Sequence, residues 1–296
     1  MTDVKYPEKF LDLYKIDGCV NIDTEPFFER EECYPQFREH LVDYKNLLVN
    51  LVENNESKTF YKFGDGDYWF LKGIPSGSAR PGARALAKPY DQINHSEFVD
   101  GSKKCDYYTC EIYTHNRQFF REVIPDQEIH FPAEYGYALI ANKWILKTFA
   151  GKIGLIGANT KMNLISNLMQ APQYQDYLGI EKFEDYISLP QKFACDDLEG
   201  TEKMVGEQLK NSSSKIFLMG MGHVKSGLIY RLKKYTDAVF LDVGASIDAL
   251  AGIIDVGRPY FGDWINYQID EYNLYENVDY LGYEKKGKHI LLERND

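Results

Sequence analysis

The sequence predicts an α/β fold, a mostly parallel β-sheet with helices on both faces. Three observations carry that prediction. Short continuous apolar runs recur at KTFYKF (58–63), KIGLIG (152–157), KIFLMGMG (215–222) and AVFLDVG (238–244). Stretches of about a dozen residues with apolar side chains at helical spacing separate the later runs. Glycines stand where these runs end. Strands buried on both faces read as unbroken apolar runs, and their alternation with amphipathic helices marks βαβ units.

The elements follow in order. PQFREHLVDYKNLLVNLVEN (35–54) places Phe37, Leu41, Tyr44, Leu48, Leu51 and Val52 on one stripe, which predicts a covering helix. KTFYKF is the first strand, and DYWFLKG begins a helix after a glycine turn. IPSGSARPGARALAKPYD (74–91) reads as a flexible linker. AEYGYALIANKWILKTF (133–149) reads as one helix, 152–157 as a buried strand and TKMNLISNLMQ (160–170) as a helix. DDLEGTEKMVGEQLK (196–210) is a further helix, 215–220 a strand, HVKSGLIYRLKKY (223–235) a helix and 238–243 the last strand. The expected organisation is an N-terminal helical covering segment (1–57), one binding domain (58–265) and a tail packed on that domain (266–296). No internal repeat or low-complexity segment interrupts this pattern.

Composition narrows the function classes. The 296 residues are 44% hydrophobic and 27% charged, enough for a substantial core. A formal charge of −11 argues against general nucleic-acid binding, because phosphate contacts need a basic surface. No run approaches the roughly 20 apolar residues that span a bilayer, and MTDVKYPEKF lacks an apolar signal core. The expectation is therefore a cytoplasmic chain without a transmembrane segment. Cys19, Cys33, Cys105, Cys110 and Cys195 are scattered and form no C-x-x-C pair, so neither a disulfide framework nor a zinc cage is expected.

In a parallel sheet, ligands bind beyond the carboxyl ends of the strands. Three segments gather there: GDGD after the first strand, GMGHVKSG after the 215 strand and DVGASID after the 238 strand. Gly220 and Gly222 allow close backbone approach to a ligand, and the helix that follows offers unpaired N–H groups to phosphate. Tight packing explains the same glycines equally well. Asp65 and Asp67, one glycine apart, read either as a solvated turn or as a pair whose repulsion a cation offsets. Both are expected within one ligand's length of Gly220, Gly222 and Asp242. His223 at a helix start reads as a phosphate donor or as a structural histidine. Arg80, Arg84 and Lys88 recur every fourth residue and could bring charge to phosphate from the 74–91 loop.

Taken in order, KFGDGDYWFLKG, KIGLIGANTKMNLISNL, ISLPQKFACDDLEG, IFLMGMGHVKSGLIYRL and FLDVGASIDALAG…GRPYF resemble the GT-D type glycosyltransferases over about residues 58–262. That family carries an R-F-G-D-G-E type motif near its front, a Rossmann-like second part and an aspartate–glycine segment followed by an arginine–aromatic pair. The resemblance implies a Rossmann-like fold and transfer of a hexosyl or pentosyl group from a nucleoside-diphosphate sugar, UDP-linked, to a glycan or glycoconjugate acceptor. It implies donor contacts from Phe63, Gly64, Gly66, Gly220, Gly222, His223, Asp242, Gly244 and Arg258. It implies catalytic work at Asp65, Asp67 and Asp248, and a Mn²⁺ or Mg²⁺ ion held by Asp65 and Asp67 to meet the charge on the leaving diphosphate. The chain departs from the family in two places. Lys62 and Asp67 replace the usual Arg and Glu, and the D-x-E near the C-terminal aspartate reads Asp248, Ala249, Leu250.

An inverting reaction also needs a general base, for which Asp248, Asp242 and Glu134 are candidates. Asp242 reads equally as a ribose ligand or a helix cap, and Glu134 as a first-turn acid. Two rival readings remain at this stage. FLDVGAS resembles the acidic strand end of a Rossmann-type S-adenosylmethionine-dependent methyltransferase, although the expected later glycines are absent. The other rival is a noncatalytic nucleotide- or glycan-binding module.

Overall fold

The computed structural model describes residues 37–111, 116–255 and 288–290. Seven parallel strands form one sheet: β1 (Lys58–Phe63), β2 (Tyr107–Cys110), β3 (Phe131–Pro132), β4 (Ile153–Ala158), β5 (Asp185–Leu189), β6 (Ile216–Gly220) and β7 (Val239–Asp242), in the order β3-β2-β1-β7-β6-β4-β5. The mostly parallel α/β class expected from the sequence is the observed one. A separate antiparallel pair joins β8 (Ile253–Asp255) to β9 (Lys288–Ile290), which is the described part of the expected tail.

Side chains alternate between the two faces of each strand, as the pleat requires. Phe60, Ile153, Leu155, Ile216, Leu218, Val239 and Leu241 enter one core. Tyr61, Phe63, Ile156, Phe217, Met219 and Phe240 enter the other. The first core is covered by helices α1 (Phe37–Glu53), α5 (Ala133–Ala141), α6 (Trp144–Thr148), α7 (Asn159–Leu168), α8 (Pro172–Leu178) and α11 (Ser246–Leu250). The second is covered by α2 (Asp65–Leu71), α3 (His95–Ser102), α4 (Asn116–Val123), α9 (Leu198–Leu209) and α10 (Lys225–Leu228). The stripe read from 35–54 is buried in α1 at Leu41, Tyr44, Leu48, Leu51 and Val52.

Three local expectations need correction. The helix expected over 133–149 is two helices, broken where Lys143 takes φ 65° and the Asn142 carboxamide oxygen accepts the Trp144 N–H at 3.0 Å. The helix expected over 223–235 opens as a 3₁₀ turn at Gly222–Val224, tightens into α10 and returns to 3₁₀ at Ile229–Lys234. The 74–91 segment is not a free linker. Gly82 donates to the Leu86 carbonyl, Tyr90 to Ala79, and the Ala87 and Lys88 amides to the Asp196 carboxylate, while Ala79 and Leu86 are fully buried.

The strand order places the site. The chain leaves β4 towards β5 at one edge, then returns past β4 to β6 and continues to β7 on the other side. Adjacent β4 and β6 are thus left in opposite directions. In open parallel sheets, such a switch point opens a crevice outside the carboxyl ends of the strands.

Candidate functional site

A cleft of about 190 Å³ lies at that switch point. Ala158 at the end of β4, Leu189 at the end of β5 and the Gly220–Val224 turn after β6 form its floor, and Ser78 and Arg84 reach it from the 74–91 loop. Lys161, Gln191, Asp248 and Cys195 complete the polar and sulfur lining used below. The two glycines of the turn have separate reasons. A Cβ on Gly220 would stand 2.8 Å from Ile247 and 3.0 Å from the Gly244 carbonyl, so close packing requires that glycine. Gly222 has φ +61°, and among the described residues no heavy atom lies within 4 Å of where a Cβ would stand, so its requirement is conformational.

Behind the cleft lies a buried ion cluster. Lys225 Nζ stands 2.7 Å from Asp242 Oδ2 and 3.0 Å from Asp67 Oδ2, donates to the Lys62 carbonyl and lies 4.9 Å from the centre of the Tyr61 ring. Asp242 Oδ2 also accepts the Lys62 N–H at 3.2 Å, and its Oδ1 accepts the Gly244 N–H at 3.1 Å. Asp67 Oδ2 accepts the Gly64 N–H at 2.8 Å, the reach-back half of a capping box at the start of α2. Burial by itself would raise the Asp67 carboxyl. The Lys225 charge is the first of the opposing influences, which together hold it at about 2. Burial likewise works to lower Lys225, and the Asp242 and Asp67 carboxylates outweigh it and raise the ammonium's pKa. One cation shared by two carboxylates is a paired arrangement, the condition under which buried charge is tolerated.

His223 joins this cluster to the cleft. Its ring stacks on Phe70 with centroids 5.1 Å apart at 15°, and Nε2 is 2.8 Å from Ser78 Oγ. Nδ1 lies 3.9 Å from Asp67 Oδ1, beyond hydrogen-bond distance, and has no hydrogen-bond partner among the described residues. A Cβ on Gly66 would stand 2.9 Å from His223 Cε1, so the glycine between the two aspartates makes room for the imidazole.

Across the cleft, Lys161 in the first turn of α7 pairs with Asp248 in α11. The lysine side chain is 7% exposed and the aspartate 34%. Thr160 Oγ1 donates to Gln191 Oε1 at 2.5 Å and ties α7 to the loop after β5. Among the described residues, the lining therefore holds two full cations, Arg84 and Lys161, against one carboxylate, Asp248. In a chain of net charge −11, that local excess favours an anionic ligand.

The residues singled out in the sequence divide by position. Gly220, Gly222, His223, Asp248 and Arg84 line the cleft. Asp67 and Asp242 stand behind it, and both Asp242 oxygens are engaged by backbone and Lys225. Gly244, at φ +50°, gives its N–H to Asp242, and Gly64 gives its own to Asp67. Phe63 is fully buried, edge-on to Phe120 with centroids 5.4 Å apart. Glu134 is buried in the first turn of α5, and Arg80 is exposed and donates to the Gly77 carbonyl at 3.2 Å. Lys88 donates to the Asp196 carbonyl at 2.8 Å. Arg258 lies outside the described residues.

Asp65 and Asp67 do not fit a shared metal site. The helix begins at Asp65, and residues two apart on a helix point to opposite sides. Asp65 is accordingly exposed while Asp67 is buried against an ammonium. Among the described residues, no group of three or more His, Cys, Asp or Glu side chains could hold a metal ion. Sequence reasoning missed Lys225, Lys161 and Ser78. For Lys225 a signal was present, since it sits among Val224, Ser226 and Gly227 where an amphipathic helix would keep small or apolar residues.

The comparisons with known proteins can be set beside this geometry. The chain is similar in structure to one described as a new glycosyltransferase (DUF1792) from Streptococcus sanguinis, with 13% sequence identity and a TM-score of 0.47. The likeness covers 84% of this chain and 97% of that one. No protein-family model matches the chain, and no curated protein matches it. Among the described residues, no helix is long and apolar enough to cross a membrane.

Proposed function

We propose that this chain is a glycosyltransferase. In this reading it moves a hexosyl or pentosyl group from a nucleoside-diphosphate sugar, with UDP as leaving group, to a hydroxyl of a glycan or glycoconjugate acceptor. The observation that carries the reading is the cleft itself. It opens at the switch point of a parallel sheet, is bordered by a glycine turn at Gly222, and among the described residues carries Arg84 and Lys161 against Asp248. Four of the motifs that carry the sequence resemblance to GT-D type enzymes contribute to its lining, at Ala158 and Lys161, Leu189–Cys195, Gly220–Val224 and Asp248, while Ser78 and Arg84 come from the 74–91 loop.

In the proposed reaction the acceptor oxygen forms a bond to the anomeric carbon as the bond from that carbon to the diphosphate oxygen breaks. The bonding pair leaves with the diphosphate, whose developing charge faces Arg84 and Lys161. The proton of the acceptor hydroxyl passes to a base at the cleft. Asp248 is the carboxylate that lines it, and its 34% side-chain exposure leaves it accessible to an acceptor. Asp67 and Asp242 act as positioning residues: they fix Lys225 and, through Gly66 and Asp67, the seat of His223. Asp242 is buried with both oxygens already engaged by backbone and Lys225, which weighs against the methyltransferase alternative.

The test is a thermal-shift panel of nucleotide sugars followed by a transfer assay. A ligand at one hundred times its Kd adds about 2.7 kcal/mol of stability. Stabilisation by a UDP-sugar with turnover is the expected result. Stabilisation by S-adenosylmethionine alone refutes the reading in favour of a methyltransferase, and UDP binding without turnover refutes it in favour of a noncatalytic module.

A further inference from the structure

Lys161 stands where a lysine is costly. It is the third residue of α7, at the positive end of a ten-residue helix, where a cation is disfavoured by the backbone dipole. It is also buried, with 5% of its surface exposed, and burial penalises an ammonium further. Asp248 pairs with it from the neighbouring α11 and is the more exposed partner, and Arg84 adds a second positive charge to the same lining. Among the described residues, the lining thus carries two cations against one carboxylate, a surplus that an anion would neutralise.

The same arrangement is unfavourable to a divalent cation. Asp248 is the carboxylate of the lining, and its Oδ1 already accepts from Lys161. Leu250, two residues further along, is fully buried in the apolar core and offers no oxygen. Asp67, behind the cleft, already shares the Lys225 ammonium, and Asp65 turns to solvent. A metal ion beside Asp248 would sit against the Lys161 ammonium, and like charges at that range repel.

We infer that Lys161, with Arg84, supplies the countercharge for the diphosphate of the ligand, so that this chain binds and releases a nucleoside diphosphate without a divalent metal. The inference rests on the glycosyltransferase reading for the identity of the ligand. It concerns the cation rather than the sugar. A lysine ammonium is a compact point charge with three donors, able to meet non-bridging diphosphate oxygens as they gain charge. In the resting cleft Asp248 holds that ammonium. When a diphosphate occupies the cleft, the ammonium is shared between the two.

The experiment is isothermal titration of the full chain with UDP, and separately with inorganic diphosphate, in excess EDTA and in millimolar Mn²⁺. The expected result is a Kd for UDP that differs less than about threefold between the two buffers. Lys161→Met should weaken UDP binding tenfold or more in EDTA, and Lys161→Arg should restore most of it. If Mn²⁺ tightens wild-type binding tenfold or more, the inference fails while the glycosyltransferase reading stands. If neither UDP nor diphosphate binds in either buffer, the inference fails together with that reading. If UDP binds equally in both buffers and Lys161→Met binds like wild type, the countercharge is assigned wrongly. The wild-type buffer comparison decides the metal question even where Lys161→Met does not fold.

Discussion

Lys225→Met removes the one cation shared by two buried carboxylates while keeping an unbranched side chain of similar length. Its ammonium lies 2.7 Å from Asp242 and 3.0 Å from Asp67, whose side chains are 2% and 6% exposed. Breaking a buried pair by removing one partner costs about 3–5 kcal/mol, because the remaining charge is left without compensation. The depressed Asp67 carboxyl reflects the same pairing, with His223 and Lys62 adding to Lys225. Its pKa is held at about 2 instead of 3.8, which corresponds to about 2 kcal/mol of stability. With an unfolding entropy of ~2.1 cal/mol/K per residue, a loss of 3–5 kcal/mol lowers Tm by about 5–8 °C for 296 residues. The sign with pH separates this cause from simple loss of packing. In wild type the folded pKa of Asp67 is depressed, so its contribution is fully present above the unfolded pKa and is lost as pH falls from about 4 towards 2. Without Lys225, burial, the largest influence on Asp67, is opposed less and raises that carboxyl, so the variant regains part of its deficit as pH drops from 7 to about 4.5. Urea denaturation of both proteins at the two pH values measures this. A deficit below about 1 kcal/mol at pH 7, or one that does not shrink at the lower pH, would refute the reasoning.

Other outcomes follow from the same geometry. Asp67→Asn should lose about 2 kcal/mol or more and disturb UDP binding, whereas Asp65→Asn, on the exposed side of α2, should stay within about 0.5 kcal/mol of wild type in urea; equal losses at the two positions would remove the distinction. Gly220→Ala should cost about 1–3 kcal/mol because Ile247 is 2.8 Å from the new methyl, and Gly222→Ala about 1 kcal/mol from its φ of +61° alone. The reverse ranking in thermal denaturation would show that the packing and conformational roles are exchanged. Gly66→Ala should push His223 off Phe70 and weaken UDP binding several-fold, read together with the imidazole NMR shifts; unchanged shifts and affinity would mean that the ring does not need that space.

The strands that matter most for the site were legible because both their faces are buried. Runs such as IFLMG admit few alternatives to a central parallel strand. β5 was not, since DYISL lies at the sheet edge with its first, second and fourth residues only partly buried and carries the mixed polarity of a loop. β2 and β3 are four and two residues long, too short for a period to emerge. Among site residues, glycines and acids were visible by type and position, but lysines were not. An amphipathic helix normally displays lysine to water; Lys225 stands out only by its small and apolar neighbours, and Lys161 is not distinguished from a solvated lysine until its partner aspartate, 87 residues away, is known.

The GDGD stretch shows how one local pattern can satisfy both of its competing readings. As a turn, Gly64 lends its N–H to Asp67, and Asp65 places an acid in the first turn of α2, where the helix dipole favours it. As a functional element, Gly66 vacates the volume that the His223 ring fills, and Asp67 fixes the ammonium that also holds Asp242 at the end of β7. The helical start that makes the capping possible is also what drives the two carboxylates to opposite sides. A metal pair at this point would need both side chains on one side, and the capping interaction already commits Asp67 inward. The stretch therefore acts on the cleft from behind, through His223 and Lys225, while the charge that faces a ligand comes from Lys161 and Arg84 on the other elements of the switch point.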